Sequence, residues 1–174
     1  GVVDEAHSFG ALGTNGTGVS HGCTDIAVGT FGKALGMFGA FILMPEGFKE
    51  FFHNFSSPVI YSTAMPEAHA AAAAALLKKL PTMEPEREHL EQVSALLRSE
   101  LQDAGFTIQG DAHIVSIEIG DEAKAAEIAE KMREDGVLAF ASRYPTVPMN
   151  KAVIRISMTA LHSTADVHTF VNSI

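Results

Sequence analysis

Apolar and polar positions follow two different rhythms along this chain. Short apolar runs come first: Val2-Val3, Asp25-Ile26-Ala27-Val28 and Gly39-Ala40-Phe41-Ile42-Leu43-Met44. Each ends in glycine, proline or polar residues, and together they predict three strands of an open α/β sheet, with Val2-Val3 a buried parallel strand. Gly10, Gly13, Gly16 and Gly18, with Asn15 among them, mark a loop between the first two strands. Helical spacing then takes over. Residues 45–55 put Phe48, Phe51, Phe52 and Phe55 on one side. Residues 59–63 read as extended or loop. Pro66 opens an Ala-rich helix over 68–80, closed by Pro81, whose small side chains predict close packing on another helix. A longer helix over 84–104 carries Leu90, Val93, Leu97 and Leu101 as an apolar stripe and stops at Gly105.

Beyond Gly105 the pattern alternates as half-buried strands do. Strands are predicted over 106–108, 114–119, 137–141 and 153–157. Asp121 caps a helix that runs through Asp135 to a stop at Gly136, and Thr164 caps a closing helix to Ile174. This half predicts a small α+β domain. The boundary falls inside the 84–104 helix, giving units of 1–95 and 96–174.

Composition narrows the partners. Of 174 residues, 47% are hydrophobic, enough for a core, and the formal net charge is -9. Such an acidic chain makes a poor partner for nucleic acid or an anionic membrane. No apolar run approaches the roughly 20 residues of a spanning helix. Cys23 is the one cysteine, so no internal disulfide forms, and a reducing, cytoplasmic setting is expected. The chain starts directly in an apolar strand without an initiator Met, which predicts that it is part of a longer protein.

The chemistry-bearing residues cluster at strand ends, where ligands gather in open α/β sheets. Asp4-Glu5-Ala6-His7 follows the first strand, and Gly29-Thr30-Phe31-Gly32-Lys33-Ala34-Leu35-Gly36 follows the second. A strand ending in Asp-Glu-Ala-His also occurs in Mg²⁺-dependent ATPases of the DEAH type. The phosphate-cradling partner motif fails here, because Ala27 stands where its first glycine belongs and Ala34 where its hydroxyl residue belongs. His21 and Cys23 form no second cluster, so no metal site is expected. Lys33 lies among Phe31, Ala34, Leu35 and Phe38, an apolar setting expected to desolvate it and favour the neutral amine that forms a Schiff base. A pyridoxal cofactor needs such a lysine and an acid to keep its ring nitrogen protonated, a role open to Asp4. Thr30 is spaced to give its hydroxyl to a phosphate while Lys33 reaches the aldehyde.

The motifs Asp-Glu-Ala-His-Ser-Phe-Gly at 4–10, Gly-x-x-Gly-x-Gly at 13–18, Thr-Phe-Gly-Lys-Ala-Leu-Gly at 30–36 and Tyr-Ser-Thr-Ala-Met-Pro at 61–66 resemble those of the α-oxoamine synthases. The resemblance continues in Pro145-Thr146-Val147-Pro148 and Arg155 to His162. These fold-type-I pyridoxal 5'-phosphate (PLP) enzymes condense an amino acid with an acyl-CoA. The resemblance implies an α/β fold: the second half of a PLP-transferase large domain with a mainly parallel sheet over 1–95, and a small C-terminal α+β domain over 96–174. It implies Lys33 as Schiff-base lysine and general base, Asp4 as partner of the pyridine nitrogen, His7 near the ring hydroxyl, and Thr30 as phosphate ligand. It further implies that Ser62, with Thr63, reaches the phosphate of a partner subunit in a homodimer. Arg155 would hold the substrate carboxylate, with Thr146 beside the substrate. One departure is Val153, where some relatives carry a second arginine two residues before Arg155. Alternatives of another class are an inactive piece serving folding or dimerisation, and the ATPase half.

Overall fold

A computed structural model describes residues 1–174, which fall into two units, Gly1–Arg87 and Glu88–Ile174. In the first, Val2–Asp4 (β1) runs parallel to Ile26–Thr30 (β2), and Ala40–Leu43 (β3) returns antiparallel along the other side of β2. The expected parallel pairing is therefore present at β1–β2, while β3 departs from it. The cause is loop length: residues 31–39 are too few for a parallel crossover. The strands are also less buried than their composition predicts. Val2 is 68% exposed and Leu43 59%.

One face of this sheet is covered by an aromatic cluster. Phe41 packs edge-on against Phe9 with ring centroids 4.8 Å apart, and against Phe31 at 5.3 Å. Gly29 sits opposite Phe41 in the β2–β3 register, and a Cβ there would come within 2.2 Å of the Phe41 ring. The glycine in β2 is thus the seat of the aromatic side chain across from it.

Helix Glu46–Phe55 (α1) forms as its spacing predicts, yet Phe48, Phe51 and Phe55 are exposed, with Phe51 and Phe55 stacked at 5.0 Å. A short helix, Ser57–Ile60 (α2), occupies part of the segment expected to be extended or loop. Pro58 in its first turn presets the helical φ. The Ala-rich helix Glu67–Lys79 (α3) follows Pro66 as predicted. Its expected close packing on another helix is not formed, since Ala73 is its one buried residue. A 3₁₀ turn over Leu80–Thr82 leads to Glu84–Asp103 (α4). Arg87 in the first turns of α4 is buried. Its guanidinium donates to the Glu84 carboxylate at 2.7 and 3.1 Å and to the Leu80 carbonyl at 3.1 Å.

In the second unit, α4 buries Leu90, Val93, Leu97 and Leu101, the stripe read from its spacing. The sheet comprises Ile108–Gln109 (β4), Ile114–Gly120 (β5), Phe140–Ser142 (β6) and Ala152–Ser157 (β7), in the order β4-β5-β7-β6 and antiparallel throughout. Val115, Ile117 and Ile154 are fully buried in it. Glu122–Glu134 (α5) is capped by Asp121, which accepts the Lys124 amide at 2.7 Å. β6 starts three residues later than predicted. Gly136 takes φ +84°, and the Val137 amide donates back to the Met132 carbonyl at 2.8 Å, so this stretch closes the helix instead of opening a strand. The final helix, Thr164–Ser173 (α6), is capped by Ser163 and not by Thr164. The Asp166 carboxylate accepts the Ser163 amide at 2.7 Å while the Ser163 hydroxyl accepts the Asp166 amide at 3.3 Å, a reciprocal box that the Ser-x-x-Asp spacing permits one residue earlier. No helix is long and apolar enough to cross a membrane.

Candidate active site

The parallel pairing of β1 and β2 brings their carboxyl ends side by side. Asp4 is opposite Val28, and the Glu5 amide extends the ladder by donating to the Val28 carbonyl at 2.7 Å. Asp4 is exposed, with its carboxylate accepting the Ala6 amide at 2.8 Å. This bond turns the chain toward His7, which is also exposed. Thr30 ends the neighbouring strand two residues past Val28. The two strand ends that carry Asp4, His7, Thr30 and Lys33 thus lie on one edge of one sheet.

Lys33 stands on a closed loop. Phe31 donates to the Gly39 carbonyl at 2.9 Å and its own carbonyl accepts the Met37 amide at 2.7 Å. Gly36, at φ +62°, donates to the Lys33 carbonyl at 3.0 Å and completes a turn with the lysine at its exposed tip. The Thr30 hydroxyl ties the base of this loop, donating to the Gly39 carbonyl at 3.1 Å and accepting the Gly32 amide at 3.0 Å. The turn is as the glycine spacing predicts, but the apolar enclosure of Lys33 is not. Phe31 is buried toward the aromatic cluster while Phe38 is 78% exposed, so the apolar neighbours in sequence do not wrap the amine. Ser62 and Thr63 are exposed in the segment between α2 and α3. Met65, just beyond them, packs against Gly39, where a Cβ would come within 2.5 Å of its methyl. That contact brings the Ser62–Thr63 segment to the root of the Lys33 loop.

Sequence reasoning passed over Glu5. It is 4% exposed, and its carboxylate accepts the Ser8 hydroxyl, the Val19 amide at 3.1 Å and the Ser20 amide at 2.5 Å. Burial pushes its pKa up, but hydrogen bonding from Ser20 and Val19 outweighs this and holds it below the ordinary value of 4.5, against a smaller opposing push from Asp4. A usable signal was strand alternation: with Asp4 turned outward at the end of β1, the next residue turns inward. The folded-state pKa is depressed. The carboxylate's contribution is therefore complete above about pH 4.5 and is lost as pH falls through the lower folded value. We expect the Val19 and Ser20 amides to lose hydrogen-exchange protection on acidification through that window. Protection that stays flat from neutral pH to below it would contradict this.

The second unit holds the remaining sequence-predicted residues. Arg155 is half-buried on β7, between Ser116 of β5 and Phe140 of β6 in the register. It lines a cavity of about 570 Å³ together with Ser142, Ser157, His162 and Phe170. His162 is fixed twice. Its ring Nδ1 accepts the Thr159 amide at 2.9 Å, and its carbonyl accepts His89 Nε2 at 2.9 Å. Thr146 is exposed in a tight turn, its amide donating to the Arg143 carbonyl at 2.8 Å after the cis Tyr144–Pro145 bond. No group of three or more His, Cys, Asp or Glu residues is arranged to hold a metal.

This arrangement of strand ends and turn belongs to a known class. The family model for aminotransferase class I and II matches residues 2–174, and the chain belongs to that family. Its fold is that of part of a fold-type-I PLP enzyme. A solved serine palmitoyltransferase described as SPT with PLP superposes with a TM-score of 0.90 at 30% identity, over 99% of this chain and 45% of that one. The 8-amino-7-oxononanoate synthase of Francisella tularensis superposes with a TM-score of 0.87 at 29% identity, over 99% of this chain and 52% of that one. In sequence, the 8-amino-7-oxononanoate synthase of Cellvibrio japonicus is 40% identical over 173 residues, covering 95% of this chain and 44% of the relative. The chain spans about half the length of the relatives it matches or less.

The residues at these strand ends fit a pyridoxal phosphate. A primary amine stands exposed at the tip of a hydrogen-bonded turn, a carboxylate is exposed at the adjoining strand end, and a hydroxyl lies at the base of the turn. The one adjustment required is at Thr30, whose proton now goes to the Gly39 carbonyl and must be released to serve a phosphate.

Proposed function

We propose that this chain carries the cofactor lysine and the acid of an α-oxoamine synthase, which condenses a small amino acid with an acyl-CoA thioester and releases CoA and CO₂. The observation that carries the reading is the exposed Lys33 turn beside the Asp4 strand end in a chain 40% identical to an 8-amino-7-oxononanoate synthase. When bound, pyridoxal phosphate supplies an electron sink for a carbanion at the amino acid's α-carbon. Lys33 would hold the cofactor through its Nζ, and the same Nζ would take the α-proton of the amino acid. Asp4 keeps the ring nitrogen protonated by offering a carboxylate as hydrogen-bond acceptor. His7 holds the ring oxygen. Thr30 donates to the phosphate, and Ser62 with Thr63 does so for a partner subunit, which makes the enzyme a homodimer with shared sites. Arg155 orients the substrate carboxylate by a charge-assisted pair, with Thr146 beside the substrate.

The finer assignment is to 8-amino-7-oxononanoate synthase: alanine and pimeloyl-CoA as substrates, in biotin synthesis, in the cytoplasm. Sequence relatives of that name at 35–40% identity support it, with a glycine C-acetyltransferase or a serine palmitoyltransferase as the alternatives. The 174 residues alone are expected not to turn over substrate. The test pairs alanine, glycine and serine with pimeloyl-, acetyl- and palmitoyl-CoA, following CoA release by a polypeptide of the relatives' full length that carries this chain. Release that is fastest with alanine and pimeloyl-CoA supports the assignment. A preference for another pair replaces it, and no release with any pair, together with no PLP binding, rejects the class.

A further inference from the structure

We propose that Glu5 is a positioning residue of this site: its buried carboxylate clamps the 18–20 loop behind the turn that presents Asp4 and His7. The inference rests on the PLP reading above. Glu5 lies between the two residues that reading assigns to the cofactor ring, and it alone of the three is buried. Its backbone is fixed on both sides. The amide donates to the Val28 carbonyl of β2 at 2.7 Å, and the carbonyl accepts the Ser8 and Phe9 amides at 3.1 and 2.8 Å. Its side chain gathers Ser8 from the same turn, and Val19 and Ser20 from a loop fourteen and fifteen residues on.

The loop is shaped to this carboxylate. Gly18 takes φ +91°, and a Cβ there would come within 2.5 Å of Glu5 Oε2. Gly13 turns at φ +76° with its missing Cβ only 2.0 Å from the Gly18 carbonyl oxygen. Two glycines thus admit the loop to a distance at which its Val19 and Ser20 amides meet the acid. Ser8, Val19 and Ser20 all donate to the carboxylate, so a glutamine would turn its NH₂ against an N–H in either orientation. Neutral donors stabilise the charged form of the acid, so the clamp calls for a carboxylate at this position. With the clamp open, the 4–9 turn loses its tie to the 18–20 loop, and Asp4 and His7 lose their fixed aim. A misplacement on the order of 1 Å is enough to matter at such a site.

The experiment compares wild-type, Glu5→Gln and Ser8→Ala proteins at the relatives' full length, well below their unfolding temperatures. Three readouts are taken: hydrogen exchange at Val19 and Ser20, the Kd for pyridoxal phosphate, and the visible circular dichroism of the bound cofactor. The dichroism reports a fixed orientation, which a change in global stability alone would not move. For Glu5→Gln, exchange at both amides accelerates, Kd rises about tenfold, and the dichroism falls to roughly half. Ser8→Ala removes one donor and moves all three in the same direction by less, which keeps the test decisive if Glu5→Gln does not fold. Faster exchange with unchanged Kd and dichroism overturns the positioning role and leaves the PLP reading intact. A wild-type protein that binds no pyridoxal phosphate overturns both.

Discussion

Replacing Lys33 with alanine is expected to remove the visible absorbance that pyridoxal phosphate acquires on the wild-type protein. Condensation should fall by more than about 10⁴-fold, the upper end of what a positioned general base contributes. The loss exceeds that figure because the same Nζ also anchors the cofactor. Lys33 stands at the exposed tip of the 31–39 loop, so the substitution removes no packing and should leave stability nearly unchanged. Lys33→Arg separates charge from nucleophilicity. A guanidinium keeps the positive charge but does not deprotonate to attack an aldehyde, so it should be as inactive as alanine. Both variants are measured by absorbance after PLP titration and by CoA release. A visible band retained by Lys33→Ala would move the covalent anchor to another residue.

The largest stability effect is expected at Ile154. It is fully buried on β7, the second strand from one edge of the β4-β5-β7-β6 sheet, opposite Ile117 of β5 and Ala141 of β6. Ile154→Ala removes three carbons from a site closed on both sides by strands, so the cavity collapses little, and the cost is about 3 kcal/mol. Ile154→Val, one carbon smaller, should cost about 1 kcal/mol. Against a total of about 5–15 kcal/mol for a domain, the alanine variant is a serious loss. Denaturant unfolding with unchanged m-value checks it. Arg155 leaves the same strand toward the other face, so the alanine variant should also weaken binding of a carboxylate substrate, while the valine variant should not. Equal costs for the two substitutions would mean that the β7 core repacks freely.

Several elements were legible because their signal is local. The α4 stripe, the Asp121 cap, the Gly105 and Gly136 stops and the Lys33 turn each depend on residues within a few positions of one another, and each is where spacing puts it. What was missed depends on length or on distant surfaces. The reversal of β3 follows from a connection too short for a crossover, which composition does not register. The exposure of Phe38 and of the α1 phenylalanines was hidden because apolar residues predict that a surface is covered, not which surface covers it. Glu5 was overlooked for a related reason. A glutamate in a polar motif reads as solvated, and its donors arrive from a loop more than a dozen residues away. Ser163 was within reach, since Ser-x-x-Asp is itself a local signal, but the adjacent Thr164 competes for the same role.

The seat that Gly29 makes for the Phe41 ring couples the evolutionary freedom of two positions. A Cβ at 29 and an aromatic ring at 41 exclude each other at 2.2 Å, so neither position drifts independently. In any set of descendants of this sequence, a larger residue at 29 is admissible only beside a smaller one at 41. The two should therefore covary although they stand twelve positions apart in the chain, and a substitution library varying both at once should recover folded clones in compensating pairs.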